Sequence, residues 1–511
     1  MHPYDVIIVG AGSTGAVLAA RLPEDPHRTV LLLEAGPDYP DPARLPADLA
    51  DGCTVSTRAH DWRWRASVVS GRELPYPRGK VVGGSSAVNG CIALRGLPAD
   101  YDGWAADGNP AWAWTECLPF FRALEDDRDC GGDAHGKGGP LPIVRWRDDE
   151  LTPLQRAFFA ACRAAGYAES ADHNQPEASG VGSWTMNRVG RRRVSAATAY
   201  LQPARRRPNL TIRGHHHVQR LCFVGRRAVG VAVEHAGRLQ HIAGREIVLA
   251  AGALHSPALL LRSGVGPPDQ LQALGIPVVH ALPGVGERLQ DHPAVLLAAE
   301  PYAGVAQAGE PLQQIGLRYT ATDSAATNDM QIYLWSQPAA ESPLRRAYPG
   351  VVTLCMLCPT LQQPESTGRL RLVSADPAVQ PKIALNLLAT AADMARMVDG
   401  VRRAWALLNS PPLATLIRRV LRPDAATVAD ETRLRTYLRR HVRHMSHASG
   451  ACRMGGANDP LAVVDQYGRV RGLSGLCVAD ASIMPAIPRA NPHLTCVMIG
   501  ERMAAWLRPC A

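Results

Sequence analysis

Two apolar patterns alternate along the chain: short continuous runs rich in β-branched residues, and longer stretches with a helical period. Tyr4–Val9 is a continuous run of the kind that suits a strand buried in a parallel sheet. A glycine turn at 10–15 follows directly, then 16–22 reads as a helix and 29–33 as a second buried strand, ending at Glu34. Further strands are predicted at His217–Val224, 246–249, 329–335, 351–358, 370–373 and 476–480. Helices are predicted over Ala391–Leu408 and 496–507. The opening strand–helix–strand unit reads as the start of a parallel sheet, and shorter strands follow later in the chain.

The glycine turn brings the first chemistry. Gly10-Ala-Gly12-Ser-Thr-Gly15 is a G-x-G-x-x-G sequence in the setting that gives it meaning: strand, turn, helix, strand, acid. Gly10 permits the tight turn, Gly12 lets a pyrophosphate approach the backbone, and Gly15 lets helix and strand pack closely. The helix start offers free N–H groups and the positive end of its dipole to phosphates. Glu34 is placed to accept from ribose hydroxyls. Ser13 and Thr14 in the turn and Ala35 beside Glu34 complete this set. The motif predicts a dinucleotide with an unphosphorylated adenosine ribose and leaves NAD and FAD equally open.

Composition changes the picture little. The 511 residues are 46% hydrophobic and 20% charged, which excludes a disordered chain and a fibre. The net charge of +9 raises nucleic acid as a partner. Only three of the 55 basic residues are lysines, and the arginine clusters at 191–193 and 205–207 are shorter than a nucleic-acid patch, so they read as solvated surface. No nucleic-acid partner is expected. Twelve cysteines at irregular spacing, with one C-x-x-C at Cys355 and Cys358, give neither a disulfide scaffold nor a zinc site. His441, His444 and His447 lack the spacing and the glutamate of a metalloprotease motif, and His215–His217 read as a surface turn, so no metal is expected. No signal peptide precedes the first strand and no run is long enough to span a membrane, so a cytoplasmic protein is expected.

Five later segments decide the function class. RGKVVGGSSAVNG at 78–90, GALHSPALLLRSGVG at 252–266, HASGACRMG at 447–455, VADASIMP at 478–485 and NPHLT at 491–495 occur in that order. Together with the opening turn they resemble the glucose–methanol–choline (GMC) family of flavin oxidoreductases over nearly the whole length. The resemblance implies FAD rather than NAD, and an α/β fold, α+β overall, with a Rossmann-like FAD-binding domain and a substrate domain that carries an antiparallel sheet. It implies oxidation of a small-molecule alcohol to an aldehyde or ketone by hydride transfer to flavin N5, with reoxidation by O2 or another acceptor. A non-redox FAD-containing lyase of the same family is the alternative.

The resemblance also assigns roles. His447 aligns with the catalytic histidine, and an imidazole titrating near neutrality suits a general base for the hydroxyl proton. Asn491 matches a second residue that contacts the reacting oxygen; Pro492 and His493 are expected among the cofactor-binding residues, with His493 either sharing the role of Asn491 or meeting the flavin through its backbone. Val82, Gly84 and Ser85 lie in the glycine-rich segment, and Asn89, Gly90, Cys91 and Ile92 are expected to pass the flavin ring, where a backbone N–H can tune its electron affinity. Asp480 and Ala481 are expected near the ribityl–phosphate segment, Val218 on the adenine side, and Ala251 among the cofactor-binding residues. Val88 stands where some members carry a linking histidine, which implies non-covalent FAD. Residues 1–150, 205–298 and 445–511 are expected to form the FAD domain, and 151–204 and 299–444 the substrate domain. Trp335 and Cys355 are the candidates to line a pocket between them.

Overall fold

The computed structural model describes residues 4–336 and 346–508. β1 (Tyr4–Val9), α1 (Ser13–Arg21) and β2 (Val30–Leu33) form the opening unit. The helix starts three residues earlier than the apolar pattern suggests, because the Gly12 carbonyl already accepts from Ala16 N–H and the turn runs straight into it. Gly10 has φ +99°, a left-handed conformation that favours glycine, and a Cβ on Gly15 would stand 1.9 Å from the Gly10 carbonyl oxygen.

Three sheets carry most of the strands. The first has seven strands, in the order Leu210–Arg213, β2, β1, Arg238–Leu249, Arg227–His235, His217–Val224, with Leu476–Val478 also pairing Arg238–Leu249. The strand Arg238–Leu249 has two halves. Its end runs parallel to β1 and is buried; its beginning pairs antiparallel with Arg227–His235 and is exposed. Only the buried half carries an apolar run, so the pattern located 246–249 alone.

The second sheet is antiparallel, in the order Ile417–Arg422, Leu297–Pro301, Cys355–Leu361, Met330–Ser336, Ile315–Tyr319, Gly180–Ser183, with Pro293–Ala294 and Arg443–His444 attached. The helix Ala391–Leu408 packs on it. The third sheet joins the hairpin Trp64–Val69 and Arg72–Tyr76 to Arg369–Arg371 and Lys382–Ala384 through the pair Ser67↔Ala384. It thereby links segments expected in different domains.

The last helix, His493–Leu507, lies against α1. Thr14 Oγ1 donates to the Cys496 carbonyl at 3.0 Å, and Arg21 pairs with Glu501 at 2.9 Å, which also accepts from the Tyr200 hydroxyl at 2.7 Å. Elsewhere a buried ionic cluster forms around His135. Its Nε2 meets Asp172 at 2.8 Å and its Nδ1 meets Asp127 at 3.1 Å and Glu125 at 3.3 Å, while Arg145 bridges Asp127 and Asp172. Burial alone would depress the imidazole, but hydrogen bonds to the three carboxylates raise its pKa to about 11. The cluster at 191–193 is not all solvated surface: Arg193 is 1% exposed and spends its guanidinium on the carbonyls of Leu49, Asp51, Thr54 and Asn89. The described cysteines are all free, and no helix among the described residues is long and apolar enough to cross a membrane.

Candidate active site

A cavity of about 1350 Å3 extends from the glycine turn to the antiparallel sheet. At the turn it is lined by Gly10, Gly12, Ser13 and Thr14, and Glu34 and Ala35 follow at the end of β2. α1 has no side-chain cap, so its first N–H groups face this space. A Cβ on Gly84 would stand 2.6 Å from Gly12 Cα, so both glycines keep the floor bare. Glu34 accepts from Ala11 N–H at 3.0 Å and Gly36 N–H at 2.9 Å, and burial raises its pKa to about 7. Each oxygen keeps a lone pair for a further donor. These residues fit a dinucleotide cofactor.

Gly84, Ser85, Asn89, Gly90 and Ile92 line the middle of the cavity, with Val218 and Ala251 on another wall. Asp480 and Ala481 line it too, and Asp480 is engaged with Gly252 N–H at 2.9 Å and the Ser256 hydroxyl at 2.5 Å. His216 and His217 line the cavity, and only His215 is an exposed turn residue, so the surface reading of that triplet holds for one of three. The reason is that the strand His217–Val224 begins there.

Four expected residues do not line it. Gly15 is sealed against the Gly10 carbonyl. The Val82 side chain is in the core, and its N–H donates to Pro37. Cys91 is fully buried at φ +57°, its N–H donates to Asn89 Oδ1 at 3.0 Å, and its Sγ lies 3.2 Å from Arg193. Cys355 pairs with Ser336, one residue out of phase with Trp335↔Met356, and it is this second pair that faces the cavity. Trp335 is fixed by its Nε1–H donating to Gln313 at 2.9 Å.

The reacting end is built on four segments. His447 is half-buried with its open edge on the cavity. Its Nδ1 lies 2.9 Å from His292 Nδ1, and its Nε2 lies 3.3 Å from Asn491 Nδ2. His292 Nε2 faces the Pro488 carbonyl at 3.1 Å. A carbonyl only accepts, so His292 Nε2 carries the proton and its Nδ1 is bare. His447 Nδ1 must then donate, which leaves a lone pair on His447 Nε2. The Asn491 oxygen lies 3.3 Å from the Tyr333 hydroxyl, whose single proton goes to Gln331, and the Asn491 amide nitrogen is on the His447 side. Asp291 accepts from the N–H groups of Met445 and His447 at 3.2 and 3.1 Å and from the Tyr76 hydroxyl, holding the loop that presents the imidazole.

Among the described residues no carboxylate bonds to the His447 ring. Burial, then the cationic forms of His292, Arg78 and His444, drive its pKa well below the ordinary value. Burial also takes His292 to about 3 and His493, which meets Ser13 Oγ at 3.0 Å, to about 4.

Comparison with known proteins gives this site its lineage. Residues 4–294 and 364–500 match the profiles of GMC oxidoreductases. The chain belongs to the GMC oxidoreductase family. Among its GMC relatives, an oxygen-dependent choline dehydrogenase of Chromohalobacter salexigens is 37% identical, covering 99% of this chain and 95% of its own. A 5-(hydroxymethyl)furfural oxidase of Methylovorus sp. is 36% identical over 98% of both chains. The crystal structure of pyridoxine 4-oxidase from Mesorbium loti superposes with a TM-score of 0.90 at 33% identity, over 99% of both chains. Within this GMC fold, sequence reasoning missed His292, Asp291, Tyr76, Tyr333 and Arg193. Only the adjacent Asp291-His292 pair carried a local signal, an acid beside an imidazole.

Proposed function

We propose that this chain oxidises the CH–OH group of a small alcohol, with His447 as the base for the hydroxyl proton and Asn491 as a hydrogen-bond partner of the same oxygen. FAD, when bound, supplies the two-electron acceptor. The observation that carries the reading is the unprotonated Nε2 of His447, which faces the cavity beside the Asn491 amide and is fixed by a hydrogen-bond order that starts at the Pro488 carbonyl. A neutral imidazole with a fixed lone pair accepts a proton at neutral pH without first losing one. The Asn491 amide, 3.3 Å from His447 Nε2, would turn its N–H to the oxygen as that gains charge, and it cannot compete for the proton.

Gly12, the start of α1 and Glu34 would hold the cofactor's diphosphate and ribose. Val88 lines the cavity and has no atom able to form a covalent link, which supports a dissociable FAD. Heat or acid denaturation should release the flavin into the supernatant. The reading itself is tested by anaerobic mixing of holoenzyme with benzyl alcohol. The flavin band is expected to bleach, and His447→Ala is expected to bleach far more slowly. Equal rates in the two proteins would refute the assigned base. Product formed without bleaching would point to the lyase alternative.

A further inference from the structure

The cavity wall on the side of the antiparallel sheet carries three arginines. Arg72 opens the strand Arg72–Tyr76, Arg422 ends Ile417–Arg422, and Arg443 lies four residues before His447. None of the three forms an ion pair with a described residue. Arg443 makes no side-chain hydrogen bond among the described residues either. Arg72 donates to the Val442 carbonyl and leaves a buried Nε without a partner. Arg422 lies over the Tyr348 ring at 5.1 Å.

For Arg443 and Arg72 such a position is costly without a counter-charge, whereas Arg422 is exposed. Burial, and for Arg72 also the charge of Arg443, lowers the pKa of both guanidinium groups. The acids that line the same cavity are mostly engaged elsewhere: Glu34 at the glycine turn, Asp480 at Gly252, Asp48 on Ser56 and His60. Glu310 lines it with a buried Oε2 that has no partner, the feature a cationic substrate would use. The three arginines outweigh it in charge, and Arg422 and Arg443 both act on Tyr348 in the cavity wall. Arg443 pairs in register with Ala294, next to His444↔Pro293, and is close enough to act electrostatically on Cys358. Cys358 is the cross-strand partner of Tyr333, which bonds Asn491.

We propose that the alcohol carries a carboxylate, held by Arg443 with Arg72 and Arg422 while its hydroxyl faces His447. The planar guanidinium fork matches a carboxylate, which supplies a counter-charge that no described residue gives Arg443. This deepens the alcohol-oxidation reading and rests on it.

The test combines binding and turnover on the holoenzyme. By titration calorimetry, 4-methylbenzoate, which has no hydroxyl to lose, should bind at least tenfold more tightly than 4-methylbenzamide. The preference should shrink to less than threefold in Arg443→Met and be partly kept in Arg443→Lys, each checked for full FAD content. In turnover, kcat/KM for 4-(hydroxymethyl)benzoate should exceed that for benzyl alcohol at least tenfold, and Arg443→Met should collapse that ratio. Equal binding of acid and amide, or a higher kcat/KM on choline than on 4-(hydroxymethyl)benzoate, would overturn the proposal. Bleaching by benzyl alcohol with no preference for the acid would overturn the anion site alone. A binding preference for the acid with no bleaching by any alcohol would support the anion site and remove the alcohol-oxidation reading.

Discussion

His447 and His135 are both enclosed histidines with partners on both ring nitrogens, yet they end in opposite charge states. His135 faces Asp127, Asp172 and Glu125, and its native pKa is raised to about 11. His447 faces His292 and Asn491, and its pKa is driven well below the ordinary value. Burial works the same way on both; the difference is the charge of the partners. Carboxylates turn an imidazole into a structural cation, whereas an amide and a second neutral imidazole leave it a base. The position of acids around a ring therefore separates a clamp from a catalyst better than burial does.

The comparison is broken most severely by removing the base. His447→Ala should slow flavin reduction by benzyl alcohol by roughly 10²–10⁴-fold in anaerobic stopped flow. The matching deletion, His135→Ala, should leave turnover per folded molecule intact but cost about 3–5 kcal/mol in urea denaturation, because it strands buried carboxylates. A smaller and more pointed change is Asn491→Asp, which gives His447 a carboxylate neighbour of the kind His135 has. Its pKa should rise, and a fall of about tenfold in reduction at pH 7 corresponds to a pKa carried up to about 8, one unit above the working pH. A wild-type profile that rises through pH 6.5, matched by an unchanged one in Asn491→Asp, would remove the electrostatic contrast.

The smallest effects lie in the pH dependence of stability. His135 is raised in the native state, so its contribution is complete below the unfolded value near 6.5 and drains as pH climbs through about 11. The gap in urea midpoint between wild type and His135→Gln should narrow from pH 6 to pH 9. His292 and His493 are depressed to about 3 and about 4, so their contribution is complete above about 6.5 and is lost as pH falls toward those values. Wild-type protein should weaken on acidification over that window, and His292→Asn should weaken less steeply.

Much of the fold was legible because its buried strands announce themselves. His217–Val224 and Ala391–Leu408 lie where their patterns predict. The exposed half of Arg238–Leu249 was not legible, since a strand with two polar faces has no period to read. The hairpin from Trp64 carried a weak alternation, Trp64, Ala66 and Val68 being buried, that went unused. At the site, motifs located His447, Asn491 and the glycine turn. They could not supply His292, whose part depends on meeting a ring nitrogen 155 residues away, nor distinguish the buried Arg193 and the cavity-facing Arg443 from dozens of other arginines.

The packing of α1 against the last helix has a consequence for biosynthesis. Ser13 waits for His493, its hydrogen-bond partner 480 residues later in the chain. At about 5–20 residues per second of synthesis, that interval is roughly half a minute to a minute and a half. During that time the glycine turn has emerged but one wall of its pocket does not yet exist. Cofactor capture then becomes one of the last events in the making of the protein, and a ribosome that stalls late leaves an apoprotein rather than a slightly shortened enzyme.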